Sequence, residues 1–542
     1  MRDIVNLPNP LATEQYTLSH RARANLPLLA FFGVALLTLW PILSHLHLPL
    51  TDLPNHIARH HILSEGAAGP LAEYYSARLA IVPNAAADFL WYLAAGRIDP
   101  VRFSQWVMAF YAVNLITAAM VLSRALHGRW SLWPLAAALL VFNGNYFWGF
   151  QNFLTAAPFV IWGLALWLVM EDRGLRLRLP IFALYAMAMF VMHFFAFAIL
   201  AFAVAGREVQ RVIEAAPRQS GRQLASRATM GLPFVLPVIW LAWGVLTSGP
   251  SIQGNWTTWP SWSTIILGIG SITEQTPAPS VAFNVSGLVI LALMAFAFRT
   301  MRFSIGPRLV FAPQMRGPIL ALLLAGLCAP FWLNGVAFVH IRIPFLLVVL
   351  TIAATRWEGC SPMAGRLIAL TVVSLVSLRA VQVEGITARH DAETRDFLAT
   401  IATLPEGARL LPLRGPGMEA DVRLSHLQAY AVPTRNAYVP TLFQGVHLLE
   451  LHEEWRDIAH PQWAAIDIRW ALDPTRDAGI HAQPQFWRDW TAQFTHAVLF
   501  DEVEPAMLAR LPLTEIARQG RFTLYAVTGT TISPATNPHE GT

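Results

Sequence analysis

The chain has 542 residues, 55% of them hydrophobic and only 13% charged, with a mean hydropathy of +0.46. Soluble domains carry about 25% charge, so a soluble enzyme is excluded. The 20 Trp and 31 Phe exclude a disordered or fibrous chain, and a membrane protein remains.

Charge is unevenly spread. Arg exceeds Asp plus Glu by 11 over residues 1–384, whereas the acids exceed Arg by 6 over 385–542. The expected fold is mainly α: a cytoplasmic leader at 1–25, a polytopic transmembrane bundle of about 11 helices at 26–384, and a small extracytoplasmic α/β domain at 385–542. There is no lysine, which removes Schiff-base and P-loop chemistry. Cys328 and Cys360 cannot build a disulfide framework.

A bilayer core of about 30 Å takes about 20 apolar residues per helix. Suitable segments fall at 26–48, which reads as a retained anchor, then 104–123, 131–149, 152–170, 229–247, 281–298, 317–335, 341–355 and 364–383. Segment 179–206 is either one long helix or a hairpin turning at Met192 and His193. The hairpin puts most of the arginines on the N-terminal side, so the positive-inside rule selects it. The N-terminus is then cytoplasmic, and the external loops are 49–103 and 248–280.

The first external loop contains LPLTDLPNHIARHHIL, where Asp52, His56 and His60 recur every fourth residue and share a helix face behind Pro54. A carboxylate and two imidazoles suit acid/base work and anion binding; a divalent metal is the second use open to them. Equally, Asp52 can be the helix N-cap and the histidines interfacial. Arg59, beside that face, can reach a phosphate. The rest of the loop reads as amphipathic helices with Trp and Tyr at headgroup depth.

Further along, FNGNYFWGFQNF groups Asn145, Gln151 and Asn152 with aromatic rings, either a sugar-binding set or an uncharged interfacial turn. The second loop carries Trp256, Trp259, Trp262 and the lone acid Glu274. Two ionisable residues stand inside apolar segments, where a charge costs about 2.5–3.5 kcal/mol. His193 can stay neutral and satisfy a backbone carbonyl at the turn. Arg342 cannot deprotonate, and needs a lipid phosphate or an acid of the first loop. After residue 385 a helix at 390–403 and strand-like runs at ARLLPL, HAVLF and FTLYAVTG are expected, without a phosphate loop, metal spacing or nucleophile elbow.

The Asp of LPLTDLPNHIARHH, the HFFAF turn between short helices and the late PFWLNGVAFVHIRIPF together resemble the GT-C superfamily of polytopic membrane glycosyltransferases. The resemblance implies transfer of a sugar from a polyprenyl-phosphate donor to a glycan, lipid or protein acceptor at the outer face of the bacterial inner membrane. Asp52 matches the family's base and Arg342 its donor-phosphate Arg. Asp52-Leu53-Pro54 departs from the Asp-Glu or Asp-x-Asp pattern of many members, which bears on metal dependence. The partners implied are the lipid bilayer and a polyprenyl-phosphate sugar, with no nucleic acid. The competing classes are a polysaccharide ligase or polymerase, a transporter, and a non-catalytic envelope scaffold.

Overall fold

The computed structural model describes residues 10–77, 82–94, 97–215, 220–247, 257–262, 264–265, 308–333, 336–416, 421–443, 448–459, 465–473 and 487–528. The expected helix at 281–298, together with Trp256 and Glu274, lies outside these residues.

Helices dominate up to residue 400. In chain order they are α1 (Pro10–Leu43), α2 (Leu53–Glu65), α3 (Ala86–Ala94), α4 (Pro100–His127), α5 (Gly144–Trp148), α6 (Gln151–Val169), α7 (Leu175–Met192), α8 (Phe194–Glu214), α9 (Gly221–Thr229), α10 (Leu232–Thr247), α11 (Arg316–Leu327), α12 (Arg342–Ala353) and α13 (Pro362–Thr400). Five described helices are long and apolar enough to cross a membrane: Leu26–Leu43 of α1, α4, α6, α7 and the segment Pro362–Thr403. Their outer faces expose large apolar side chains, among them Leu29, Leu36, Trp106, Leu184 and Leu370. Apolar surface turned outward on such helices is what a bilayer covers.

Several expected spans are shorter than their apolar runs, three of them markedly so. Residues 131–149 form a 3-10 stretch, Trp133–Leu140, and the five-residue α5. Pro134 opens the first, and Gly149 closes the second in the left-handed region. Helices α11 and α12 have 12 residues each, about 18 Å, too short for a bilayer core. Between them Trp332–Leu333 and Val336–Ala337 pair antiparallel, with Thr257–Thr258 on the outer edge.

At His193 the chain doubles back. Its extended backbone (φ −167°, ψ 123°) breaks the helix between α7 and α8. Arg178 and Glu208, equidistant in sequence from His193, meet at 3.8 Å, so the two helices run antiparallel. Arg207 binds Glu171 with Nε–Oε1 2.6 Å at that far end, leaving His193 at the end that holds Asp52 and Arg342. Further along α8, Gly206 meets Gly317 of α11 backbone to backbone: a Cβ on Gly206 would lie 2.4 Å from the Gly317 carbonyl oxygen. Small residues permit that approach.

Helix α13 merges two expected elements, the apolar 364–383 and the helix at 390–403. Its 39 residues span about 58 Å, roughly twice a bilayer core. The projecting half carries Glu384 and Asp391, which bind His45 (2.8 Å) and His47 (2.7 Å) just after α1. Beyond it stands a five-stranded mixed sheet in the order Leu513–Gln519, Phe522–Val527, His496–Phe500, Leu410–Arg414, Ile466–Asp467. The neighbours of the central His496–Phe500 strand are antiparallel on one side and parallel on the other. The first long loop is sewn to this region, because Tyr75–Ala77 pairs antiparallel with Leu449–Leu451 and Tyr74 stacks on Tyr438 at 4.6 Å.

Candidate active site

Asp52 stands at the N-cap position of α2 but does not cap it. Its backbone is helical (φ −83°, ψ −9°) and its side chain makes no capping hydrogen bond, so the carboxylate is free for other work. Two backbone bonds fix its place: Thr51 N–H donates to the Phe147 carbonyl (2.9 Å) and Asp52 N–H to the Trp148 carbonyl (3.0 Å). Gly149 turns the chain away at φ +79°, and a Cβ there would lie 2.9 Å from Asp52 N. Gly149→Ala therefore meets both a left-handed backbone and a clash. We expect a loss of about 1–3 kcal/mol, read as a lower Tm of the purified protein; an unchanged Tm would show that the clamp yields freely.

Arg342 opens α12 after the 3-10 turn Val339–Ile341. Its guanidinium lies over Phe150 (4.5 Å), Phe195 (5.0 Å) and Phe153 (5.7 Å), a cation–π enclosure drawn from the start of α6 and the His193 turn. Nη1 donates to the Ala337 carbonyl at 3.0 Å, and the buried Nε has no hydrogen-bond partner. Among the described residues no carboxylate stands within ion-pair distance of it. The ion pair with a first-loop acid, one of the two uses open to Arg342 from sequence, is not formed. Burial lifts the Asp52 carboxyl to about 7, with the Arg342 charge pulling the other way. The acid keeps 16% of its side-chain surface accessible.

The other members of the Asp52 face lead elsewhere. Arg59 grips Asp88 with both ends of its fork, Nε–Oδ1 2.9 Å and Nη2–Oδ2 3.0 Å, and so is not free for a phosphate. His60, fully buried and stacked on Trp91 at 5.3 Å, faces Asp88 at 3.4 Å. His56 accepts from Arg59 Nη2 at 3.0 Å through Nδ1. Asp52, His56 and His60 therefore do not form a ligand set, and no group of three His, Cys, Asp or Glu side chains suited to a metal occurs among the described residues. Burial pushes both histidines down, further for His56 through Arg59 and partly offset for His60 by Asp88. Burial alone would raise Asp88, but Arg59 and His60 more than offset it and hold the carboxyl below its usual range.

Asn152 belongs to the same cluster, accepting from Ala87 N–H at 2.7 Å and donating to Asp88 Oδ2 at 3.2 Å. Asp88→Asn would leave the Arg59 cation without its carboxylate. A loss of about 3–5 kcal/mol is expected, seen as a low yield of folded protein; normal yield and Tm would mean that water replaces the carboxylate.

Asn145 ties the loop to the Arg342 segment, donating to Asn143 Oδ1 (3.0 Å) and the Ile341 carbonyl (3.2 Å). His193 accepts from Phe195 N–H at 3.2 Å and packs on Phe153 at 5.2 Å, the capping role of a turn. Gln151 differs: it is fully buried and neither polar side-chain atom has a hydrogen-bond partner. Sequence reasoning missed His426, whose Nε2 lies 3.6 Å from Asp52 Oδ1. It also missed Phe443, packed between His426 (5.0 Å) and His56 (6.4 Å). No motif marks either.

No family model and no curated protein matches the chain. The solved structures to which the chain is similar include two of one protein. ArnT from Cupriavidus metallidurans bound to undecaprenyl phosphate is 13% identical over 93% of this chain and 99% of that one, with a TM-score of 0.46. The same protein in the apo state is 13% identical over 92% and 97%, with a TM-score of 0.45.

Proposed function

We propose that this chain is a membrane glycosyltransferase of the GT-C type that moves a sugar from a polyprenyl-phosphate donor to an acceptor hydroxyl. The observation that carries the reading is one pairing of needs. An uncapped, largely buried carboxylate and a buried guanidinium without a carboxylate partner sit at the same end of the bundle, close enough for each to feel the other's charge.

Such a pair suits one inverting displacement. The acceptor oxygen attacks the anomeric carbon while Asp52 takes its proton, and the bond from that carbon to the phosphate oxygen breaks. The electron pair leaves with the lipid phosphate, whose charge Arg342 neutralises. The phenyl rings around Arg342 keep water away and strengthen that attraction. Gln151, fully buried with its amide unpartnered, could reach sugar hydroxyls only if the site opens around it. The bundle end holding Asp52 is read as the outer face of the inner membrane.

The test is direct. Purified protein in proteoliposomes, given an undecaprenyl-phosphate-linked sugar, is expected to release undecaprenyl phosphate in an acceptor-dependent manner. Mass spectrometry of copurifying lipid is expected to find a polyprenyl phosphate. Absence of both, with unchanged envelope glycans in a deletion strain, would remove the transferase reading.

A further inference from the structure

His426 reaches the Asp52 site from the C-terminal part of the chain. It lies between the 3-10 turns Val422–Leu424 and Leu427–Tyr430, the second of which packs on α2. Its ring is held edge-on by Phe443 at 5.0 Å, and Phe443 N–H donates to Asn55 Oδ1 at 3.1 Å. The imidazole is thus clamped from the same helix whose N-terminus presents Asp52. Nothing in α2 itself hydrogen-bonds that carboxylate as a cap.

We propose that His426 is a positioning residue for Asp52, its neutral ring donating Nε2–H to the carboxylate and so fixing the orientation of the base and favouring its ionised form. The 3.6 Å between Nε2 and Oδ1 is longer than a hydrogen bond, as catalytic contacts often are without substrate, and the proposed role requires it to shorten once the site is filled. Burial pushes His426 down to about 4, so the ring is uncharged at neutral pH and acts as a donor. A ring nitrogen facing a carboxylate carries the proton, which leaves Nδ1, buried without a partner, as the acceptor.

Among the described residues the other titratable groups on the elements around the pair are few. Arg342 opens α12, His340 lies in the 3-10 turn just before it, and His56 stands one turn along α2. Helix α5 carries Tyr146 as its one titratable side chain. Of these, Arg342 is the one whose charge lowers the Asp52 carboxyl, so removing the His426 donor leaves a single stabiliser.

The inference rests on reading Asp52 as the base, but the carboxyl itself can be titrated without any substrate. Infrared difference spectra of the full-length protein in nanodiscs, wild type against Asp52→Asn, isolate the protonated carboxyl band. Its midpoint is expected near 7. His426→Phe keeps the ring packing and removes the donor, and is expected to raise the midpoint by about one pH unit. His426→Gln retains an N–H and is expected to stay near wild type. If the phenylalanine variant does not accumulate, His426→Leu makes the same comparison. An apolar variant with an unmoved or lowered midpoint overturns the proposal, as does a glutamine variant that shifts as far as the apolar one. Failure of the transferase reading is seen separately, as transfer that survives Asp52→Asn whatever the midpoint does.

Discussion

Asp52→Asn is expected to lower sugar transfer by about 10²–10⁴-fold while the polyprenyl phosphate still binds. The substitution keeps the shape of the side chain and removes its basicity. The backbone bonds from Thr51 and Asp52 to Phe147 and Trp148 do not involve the carboxylate, so the fold should hold. The pH dependence follows with a definite sign. A base works when ionised, and burial puts the Asp52 carboxyl at about 7, so transfer should fall as pH drops through neutrality and level off above it. The asparagine variant should lose that acidic limb along with its rate. Initial rates of undecaprenyl phosphate release on either side of neutrality check both points. A wild-type rate in the variant, or an unchanged acidic limb, would take Asp52 out of the chemistry.

What could be read beforehand was local. Apolar runs marked α4 and α6, and short strand-like runs between turn signals marked the strands Leu410–Arg414, His496–Phe500 and Phe522–Val527. The turn at His193 followed from arginine placement, an electrostatic argument that needs no contacts. Segment 131–149 misled because a run of apolar residues reads alike whether it forms one helix or a 3-10 stretch and a short helix. The charge change near residue 384 marked a change of environment, yet α13 passes through it unbroken, since a helix can leave the bilayer without ending. In the site, Asp52 and Arg342 were visible because each is costly where it lies. Arg59 and His60 looked equally functional, but their partner Asp88 lies on α3, and periodicity along α2 says nothing of what waits opposite. His426 was out of reach for the same reason, because only the fold of the C-terminal part brings it to Asp52.

Arg342→Ala is expected to cost about 10²–10³-fold in transfer and to end copurification of a polyprenyl phosphate. Arg342 is a buried cation without a carboxylate at ion-pair distance among the described residues, and three phenyl rings surround it. Lysine should not rescue the loss, since a compact ammonium cannot occupy a planar aromatic enclosure and also present a fork to a phosphate. Loss of packing is separated from loss of charge by Arg342→Met, which fills much of the same space: normal yield and Tm with transfer still absent assigns the defect to the guanidinium. A further readout links Arg342 to Asp52. Because the Arg342 charge opposes the upward push of burial on Asp52, its removal should move the acidic limb of any residual activity to higher pH. A methionine variant that keeps both its bound lipid and its pH profile would mean that the donor phosphate is held elsewhere, and that the rings around Arg342 serve only to bury it.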